Sequence, residues 1–480
     1  MVSVVVIIAL LACLIGALSV AKGIRLTEYT SNRRGSGIFH VVFTLLGTLV
    51  GGWMFFGLSA IGYEAGIVGY FLGLGYAIGL IILALLSKKI KQAADDYRCD
   101  TIDDFIGARF GRPAQIITVV VNMLIFLAIL AAQFVAMAAF LTLFTDLQSQ
   151  VAFYLAALVV ITYTAASGFK GVLLTDFWQF VVLGISAISI FVLLMVKTDA
   201  EALHTLEPKY FNGMGYGAVF LFGAVVLFPP TLLCRSDMWQ RISCAKDYRV
   251  ARNSFWITAP ILLVFYVLLT NVGLYARAGL GPDQRPDISG FVYFLSIVHT
   301  SGFPRWASQI FLSLMALGVF AALLSTADSY INIIGVSVSK VLSWKKWNKF
   351  ERNEGESADS GVERELLRTV RILAIIFGVL SIVLAKTIPD IVDLIVAAAS
   401  VLMILLPVVL VALLAKAEKR RTPQAIASLL GGLIVFLICF FKLSNPKVAF
   451  LPGVLVAGLL YIIVSVFYTM KSANVEDKAA

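Results

Sequence analysis

The sequence predicts an all-α polytopic membrane protein with about thirteen transmembrane helices. Of its 480 residues, 60% are hydrophobic and 14% are charged, whereas soluble domains are roughly 45–50% apolar and about 25% charged. Apolar runs of about 20 residues recur along the chain, and each can cross the roughly 30 Å hydrocarbon core of a bilayer as a helix. No segment is large enough for a separate soluble domain, so residues 1–480 are expected to form one membrane domain.

The predicted spans follow one another without a long interruption. They cover residues 2–21, 38–62, 65–87, 114–144, 151–167, 172–196, 216–233, 254–278, 306–339, 367–386, 389–415, 422–442 and 450–470. The first run has neither the basic residues nor the A-x-A-like cleavage site of a signal peptide, so it is expected to be a retained span.

The positive charges predict the orientation of the chain in the membrane. Most of the 38 Lys and Arg residues lie in alternate connections, namely 22–37, 88–113, 235–252, 340–371 and 416–421. Because cytoplasmic loops carry an excess of Lys and Arg, the N-terminus is expected outside and the C-terminus in the cytoplasm, as in a plasma-membrane protein. This distribution accounts for the net charge of +10, so no nucleic-acid partner is expected. The basic residues of 235–252 are expected to contact anionic lipid headgroups, and Gln240-Arg241 are also expected to brace an inner gate.

Two spans contain strong helix breakers deep within apolar sequence. The second, FTLLGTLVGGWMFFGLSAIGY, contains Gly47 and the pair Gly51-Gly52, and the seventh, GYGAVFLFGAVVLFPPTLL, contains Pro229-Pro230. Backbone groups freed by a break cannot face lipid, so such segments line an enclosed cavity unless neighbouring helices repair a simple kink.

The positions of the two breaks favour a cavity. With the first span set aside, residues 38–196 and 216–415 each supply five spans, and a broken span opens each half. An odd number of spans per half gives the halves opposite orientations. Paired interruptions in inverted halves are typical of the central binding site of a transporter, where freed carbonyls face cations. Residues 1–37 and 416–480 would then add one N-terminal and two C-terminal helices.

A polar cluster lies within the ninth predicted span. Its members occupy little more than one helical turn and are Ser325, Thr326, Asp328 and Ser329. A carboxylate at the bilayer centre costs roughly 2.5–3.5 kcal/mol, so such residues usually pair or line an ion path. Hydroxyl, carboxylate and carbonyl oxygens suit a small hard cation, although a structural hydrogen bond remains an alternative. Asp176 is a second acid within a predicted span.

Four motifs together resemble the sodium/solute symporter family. They occur in that family's order, cover about residues 38 to 415, and are TIDDFIGARFG (101–111), SGFKGVLLTDFWQ (167–179), DMWQRISCAKDYRVAR (237–252) and ALLSTADSYIN (322–332). The resemblance implies the LeuT-type fold of five plus five inverted helices. It also implies Na⁺ as the coupling ion.

The resemblance places ligands at particular positions. The residues that correspond to the family's main sodium site are Gly47, Val50, Ala322, Ser325 and Thr326. A second site of some members corresponds to Asp176, Ser325 and Ser329. Asp328 stands where some two-sodium members have a hydroxyl. The resemblance therefore leaves open whether one or two ions bind, and whether Asp328 has a proton-linked role.

Family substrates bind between the broken helices and the third core helix. The matching candidates are Trp53, Phe56, Gln133, Phe228 and Thr231. For the aromatic residues among them, ordinary helix packing is the alternative. The Pro229-Pro230 pair departs from the aromatic or amide residues of sugar-transporting members. An amino acid or a carboxylate is therefore expected in preference to a sugar.

These observations predict a sodium-coupled symporter that works as a monomer by alternating access. A proton-coupled symporter and a transporter-like sensor without transport are the alternatives. The sequence contains no P-loop, G-x-S-x-G or metalloprotease motif, and its three histidines lack metal-ligand spacing, so an enzyme is not expected.

Overall fold

The computed structural model describes most of the chain as helix. The described residues are 15, 23–51, 54–144, 148–197, 200–283, 286–300, 302–352, 360–387, 401–415, 422–442 and 450–476. Within them, the β-bridge between Ser36 and Ala245 is the only strand-like pairing. The predicted span 2–21, apart from Ile15, and the candidate Trp53 lie outside the described residues.

The first half of the described chain is built from long helices joined by shorter helical segments. In chain order they are α1 (Leu26–Thr30), α2 (Ile38–Leu49), a π-helical turn (Met54–Leu58), α3 (Ser59–Ala65), α4 (Val68–Asp96), α5 (Ile102–Phe110), α6 (Arg112–Phe144) and α7 (Ser149–Lys197). Helix α7 contains both spans predicted over 151–196, joined at Gly168, whose φ of 57° is outside the helical range.

The second half begins with short elements and continues with long helices. They are α8 (Ala200–His204), a 3₁₀ turn (Pro208–Tyr210), α9 (Ala218–Phe222), a π-helical turn (Gly223–Leu227), a 3₁₀ helix (Pro229–Cys234), α10 (Ser236–Cys244), α11 (Tyr248–Leu280), α12 (Pro286–Thr300), α13 (Arg305–Leu342), α14 (Trp344–Arg352), α15 (Ser360–Thr387), α16 (Leu406–Leu414), α17 (Thr422–Lys442) and α18 (Phe450–Glu476). The seventh predicted span is thus interrupted by π and 3₁₀ turns around its double proline.

Eight helices within the described ranges are long and apolar enough to cross a membrane, or up to nine if α2 and the segment Met54–Ala65 form one broken span. The protein is therefore an integral membrane protein. The total of about thirteen spans stays a prediction, because several predicted spans are short or only partly described.

Helix α13 lies at the centre of the protein. It packs against α2, α6, α7 and α15, and nearly every side chain from Ala316 to Lys340 is buried. A helix enclosed on all sides can carry polar residues at membrane depth, because lipid does not contact them. The polar cluster predicted at 325–329 is thus in protein-enclosed space.

The basic connections meet on one side of the protein, which we call the basic face (residues 23–37, 88–113, 235–252 and 340–352). Asp100 is buried there and accepts hydrogen bonds from Arg33 and Lys340 at 2.9 and 2.8 Å. Tyr29 of α1 is fully buried; its carbonyl accepts a hydrogen bond from Asn332 at 3.0 Å. The segment before α2 therefore covers the central helix on this side.

Two carboxyl groups of the basic face predict a pH-dependent stability. Burial raises the pKa of Asp103 to about 6 and that of Glu351 to about 7. Both pKa values exceed those expected in the unfolded chain, so the protonated carboxyl groups contribute to the free energy of unfolding at low pH. That contribution is lost as the pH rises through 6 and 7. The melting temperature of the detergent-purified protein should fall by about 1–2 °C or more between pH 5 and 8.

A melting-temperature series across this pH range checks that expectation. Glu351→Gln should flatten part of the slope, because an amide stays neutral at every pH. Glu365→Gln is the matched control, since the Glu365 side chain is 55% exposed. A slope identical in the wild type and Glu351→Gln would contradict the assignment.

Candidate cation and solute site

The second predicted span is broken at its glycines. Helix α2 ends at Leu49, and the helical segment that begins at Met54 is bent from it by 54°. Val50, with φ −88° and ψ 61°, is already outside the helical range. The last carbonyl groups of a helix have no partner in a following turn, so oxygens at this break are available to other groups.

The broken segment faces the polar cluster of α13. The Thr326 hydroxyl donates to the carbonyl oxygens of Gly47 and Thr48, both at 3.4 Å. Val50, Ala322 and Thr326 are fully buried. The structure therefore brings Thr326 and Ser325 of α13 next to Gly47, three of the five ligands that the sequence predicted.

Glycine is required at two positions of this contact. A Cβ atom on Gly51 would lie 2.0 Å from Thr326 Oγ1, and one on Gly47 would lie 2.6 Å from Ser325 Oγ and 2.8 Å from Asp176 Oδ1. Any larger residue would push α2 away from α13. The glycines thus permit the close approach of backbone to side-chain oxygens.

Asp176 of α7 lies at the same position. The Ser325 hydroxyl donates to Asp176 Oδ1 at 2.8 Å, and Asp176 is fully buried. Thr44 is adjacent, but its hydroxyl makes no hydrogen bond of normal geometry within the described chain. The structure thus brings together Asp176 and Ser325, two of the three residues that the sequence analysis gave for a second site.

Asp328 lies on the opposite side of the cluster and is also fully buried. Its Oδ2 accepts a hydrogen bond from the Tyr163 hydroxyl at 2.5 Å. Its Oδ1, like Oδ2 of Asp176, is enclosed without a hydrogen-bond donor of normal geometry among the described residues. Ser329 forms a hydroxyl–hydroxyl bond with Thr48 at 3.0 Å.

This donor set fits a small monovalent cation such as sodium. It combines neutral carbonyl and hydroxyl oxygens with two buried carboxylates whose second oxygens are unused. Buried polar atoms without a partner are rare in native structures and indicate a missing ligand, ion or water. Oxygen donors select hard cations over soft ones. When bound, the ion would supply positive charge that joins α2, α7 and α13.

An aromatic cluster covers the site on the side opposite to the basic face. The Phe56 ring lies 4.8 Å from Phe291 of α12 and 6.4 Å from Phe140 of α6. Phe140 also contacts Phe320 of α13 at 6.3 Å. Phe56 is fully buried, so this predicted solute residue lies within a packed aromatic lid.

Gln133 of α6 is buried and neither its amide nitrogen nor its amide oxygen has a partner in the described chain. Seven residues are almost two helical turns, so Gln133 shares a face with Phe126 and Phe140 and lies about 10 Å of helix from each. Those two rings contact Tyr330 and Phe320 of the antiparallel α13. Gln133 therefore lies at the depth of the polar cluster, midway between these contacts.

The double proline positions the two remaining predicted solute residues. Phe228 precedes the 3₁₀ helix, is buried, and lies 4.6 Å from the Tyr76 ring. The Thr231 hydroxyl donates to the Phe228 carbonyl at 2.5 Å. Thr231 therefore repairs the backbone that the prolines interrupt, and its hydroxyl oxygen keeps only acceptor capacity for a solute.

Sequence reasoning missed several residues around the site. It assigned the basic cluster of 235–252 to lipid headgroups, but Arg235 and Arg241 are buried and only the remaining members, Lys246, Arg249 and Arg252, are exposed. Arg235 forms a bidentate pair with Asp237. A basic residue in a predicted loop looks the same in the sequence whether it faces lipid or the protein interior.

The comparisons with known proteins agree with this geometry. The model of the sodium:solute symporter family matches residues 29–432. A high-affinity choline transporter of Drosophila melanogaster is 24% identical over 75% of this chain and 57% of its own length; the chain thus matches little more than half of that relative. The osmoregulated proline transporter of Bacillus subtilis is 22% identical over 78% of this chain and 75% of its own.

Solved structures show the same fold. A Na⁺-coupled sialic acid symporter in a substrate-bound outward-open state superimposes with a TM-score of 0.78 and 14% identity, over 97% of both chains. A transporter of the nucleobase-cation-symport-1 family gives a TM-score of 0.60 and 11% identity, over 92% of this chain and 95% of its own.

These matches confirm the predicted LeuT-type fold, and since the family consists of transporters, they also confirm that the chain is not an enzyme. The family match extends over most of the chain, from the segment before the broken helix α2 to helix α17. The chain belongs to the sodium:solute symporter family.

Proposed function

We propose that the protein is a sodium-coupled symporter that moves a small organic solute into the cell by alternating access. The contact between the broken end of α2 and α13, made by Thr326 and the Gly47 carbonyl at 3.4 Å, is the observation that carries the proposal. Gly47, Val50, Ala322, Ser325 and Thr326 supply the main sodium site in this mechanism.

Sodium binding would favour one conformation of the protein. The ion needs oxygens from α2 and from α13 at once, so it binds best when the two helices are in contact. A ligand shifts a conformational equilibrium only through such a difference in affinity between states. Loss of the contact on inward opening would release the ion.

The ion gradient supplies enough free energy for uphill transport. A tenfold sodium gradient gives about 1.4 kcal/mol, and a membrane potential of 100 mV gives about 2.3 kcal/mol for each charge. One sodium ion therefore sustains roughly 500-fold accumulation of an uncharged or zwitterionic solute.

The solute site combines one amide with aromatic surfaces. Gln133 offers two donors and an acceptor with no partner in the described chain, and the aromatic candidates Phe56 and Phe228 belong to the two broken spans. Relatives are named for choline, proline and pantothenate, which supports a small organic solute. An amino acid or a carboxylate fits this site better than a sugar, which needs a larger set of polar partners.

The charge distribution supports a cytoplasmic assignment for the basic face. Its positive connections would lie inside and the lid of Phe56, Phe140 and Phe291 outside. The N-terminus would then be outside and the C-terminus inside. A plasma-membrane protein acting as a monomer is the simplest form consistent with this site, which is enclosed within one chain.

A thermal-shift screen of the purified protein tests ion and solute together. Amino acids, small carboxylates and sugars are added one at a time, with NaCl or with an equal concentration of KCl. We expect sodium alone to raise the melting temperature, and an amino acid or a carboxylate to raise it further only with sodium. Equal solute stabilisation in both salts, with uptake abolished by a protonophore, would identify a proton-coupled symporter instead.

A further inference from the structure

Arg241 of α10 is a fully buried cation without a carboxylate in contact. Its guanidinium donates to the hydroxyls of Thr48 and Ser329 at 2.6 and 2.8 Å and to the Gln240 amide oxygen at 2.9 Å. The Phe169 ring covers it at 5.2 Å. No ion pair joins Arg241 to an acid in the described chain. A buried charge that has only neutral partners is costly unless opposite charge lies nearby.

Asp176 and Asp328 are buried acids that have no basic side chain in contact within the described ranges. Both are fully buried, and the side chains that donate to them are the neutral hydroxyls of Ser325 and Tyr163. Neither carboxylate pairs with Lys or Arg within the described ranges. Arg241 is close enough to act electrostatically on both. Two acidic side chains and one guanidinium thus share an enclosed region without forming an ion pair.

Ser329 connects these two arrangements. It follows Asp328 in the chain, and its hydroxyl belongs to the oxygens that would hold a second ion. In the structure that hydroxyl accepts the hydrogen bond from Arg241 and also contacts Thr48. A second ion at Ser329 would have to displace the guanidinium.

We propose that Arg241 is a tethered cation that takes the place of a second sodium ion, so that the chain binds one sodium ion per transport cycle. The inference rests on the proposed function and gives its stoichiometry. The guanidinium already contacts Ser329, which a second ion would need, and its permanent positive charge opposes the entry of another cation into the same enclosed region. Sodium at the main site is then the one mobile cation.

This role differs from that of a brace on the basic face. A brace would only hold α10 against α2 and α13, and its loss would change stability without changing the number of bound ions. A tethered cation determines how many ions the site accepts. The number of bound sodium ions therefore separates the two roles.

Binding of ²²Na⁺ to the purified full chain, measured by scintillation proximity, tests the proposal. The wild type should bind one ion per chain with a Hill coefficient of one. Arg241→Gln removes the charge and should bind two ions per chain. Arg241→Lys is the matched control, because it keeps a positive charge at the same position and should still bind one ion.

A second variant keeps the test decisive if Arg241→Gln does not fold. Ser329→Ala retains the guanidinium and should change the sodium concentration for half-saturation by less than about twofold, because Ser329 contacts arginine instead of sodium. Ser325→Ala, in the same helix, should raise that concentration at least tenfold. Each of these two serine variants lacks one hydroxyl oxygen relative to the wild type, so they are matched in chemistry.

The possible failures are distinguishable. Two ions per wild-type chain, with one lost in Ser329→Ala, would overturn the role of Arg241 while leaving sodium coupling intact. A folded Arg241→Gln variant that still binds one ion would also overturn it. No sodium binding by the folded wild type would overturn the proposed function itself.

Discussion

Replacing Thr326 by Ala should raise the sodium concentration that gives half of the maximal thermal stabilisation by about tenfold or more. The hydroxyl is the group that spans the gap between α13 and the Gly47 carbonyl. Hydrogen bonds to charged groups contribute about 1.5–3 kcal/mol, and the interaction of one oxygen with a bound cation should be of similar size. A loss of 1.4 kcal/mol is a tenfold change in affinity.

The control is Thr258→Ala, which removes the same atom from another buried threonine. The Thr258 hydroxyl donates to the Ser254 carbonyl within α11 and has no contact with the polar cluster. Its sodium dependence should equal that of the wild type. If Thr326→Ala, folded and inserted, also kept the wild-type sodium dependence, the main site would have been assigned to the wrong oxygens.

The sequence was sufficient to predict an enclosed polar region around these residues because the constraints of a membrane are severe. Ser325, Thr326 and Asp328 cannot lie at membrane depth without partners, and Gly47 lies beside a break that lipid does not tolerate. Each feature indicates an enclosed polar region without any knowledge of the fold. Inverted halves with broken first spans then indicate that the two features meet.

The partners of these residues could not be predicted in the same way. Tyr163, which donates to Asp328, lies in an apolar span where a tyrosine used for packing looks identical. Arg241 lies in a basic connection, and its burial depends on three separate segments, around Thr48, Phe169 and Ser329, that pack against it. Such long-range convergence leaves no local pattern in the sequence.

The lid over the solute region was missed for a similar reason. Phe291 belongs to α12, a short helix between α11 and α13 that the span assignment had not included. It contacts Phe56 and Phe140 at 4.8 and 5.9 Å. Its position shows that a connection on the side opposite to the basic face packs against the predicted solute residue Phe56.

Replacing Gln133 by Leu should abolish solute binding and at the same time stabilise the solute-free protein. The amide is buried without partners in the described chain, and a buried unsatisfied polar group costs about 1–3 kcal/mol. Leucine has a similar volume and removes that cost. A residue kept for packing would show no such gain, whereas a residue kept for its ligand sacrifices stability for function.

Two measurements on Gln133→Leu check this expectation: the melting temperature without solute, and the further shift caused by a solute that stabilises the wild type in NaCl. The melting temperature without solute should rise. The apparent affinity for the solute, obtained from the concentration dependence of the further shift, should fall at least tenfold. Stabilisation by sodium alone should be retained. Gln424→Leu is the matched control, because Gln424 is a buried glutamine of α17, outside the two repeats. Its solute response should be unchanged. A wild-type solute response in Gln133→Leu would exclude the amide from the solute site.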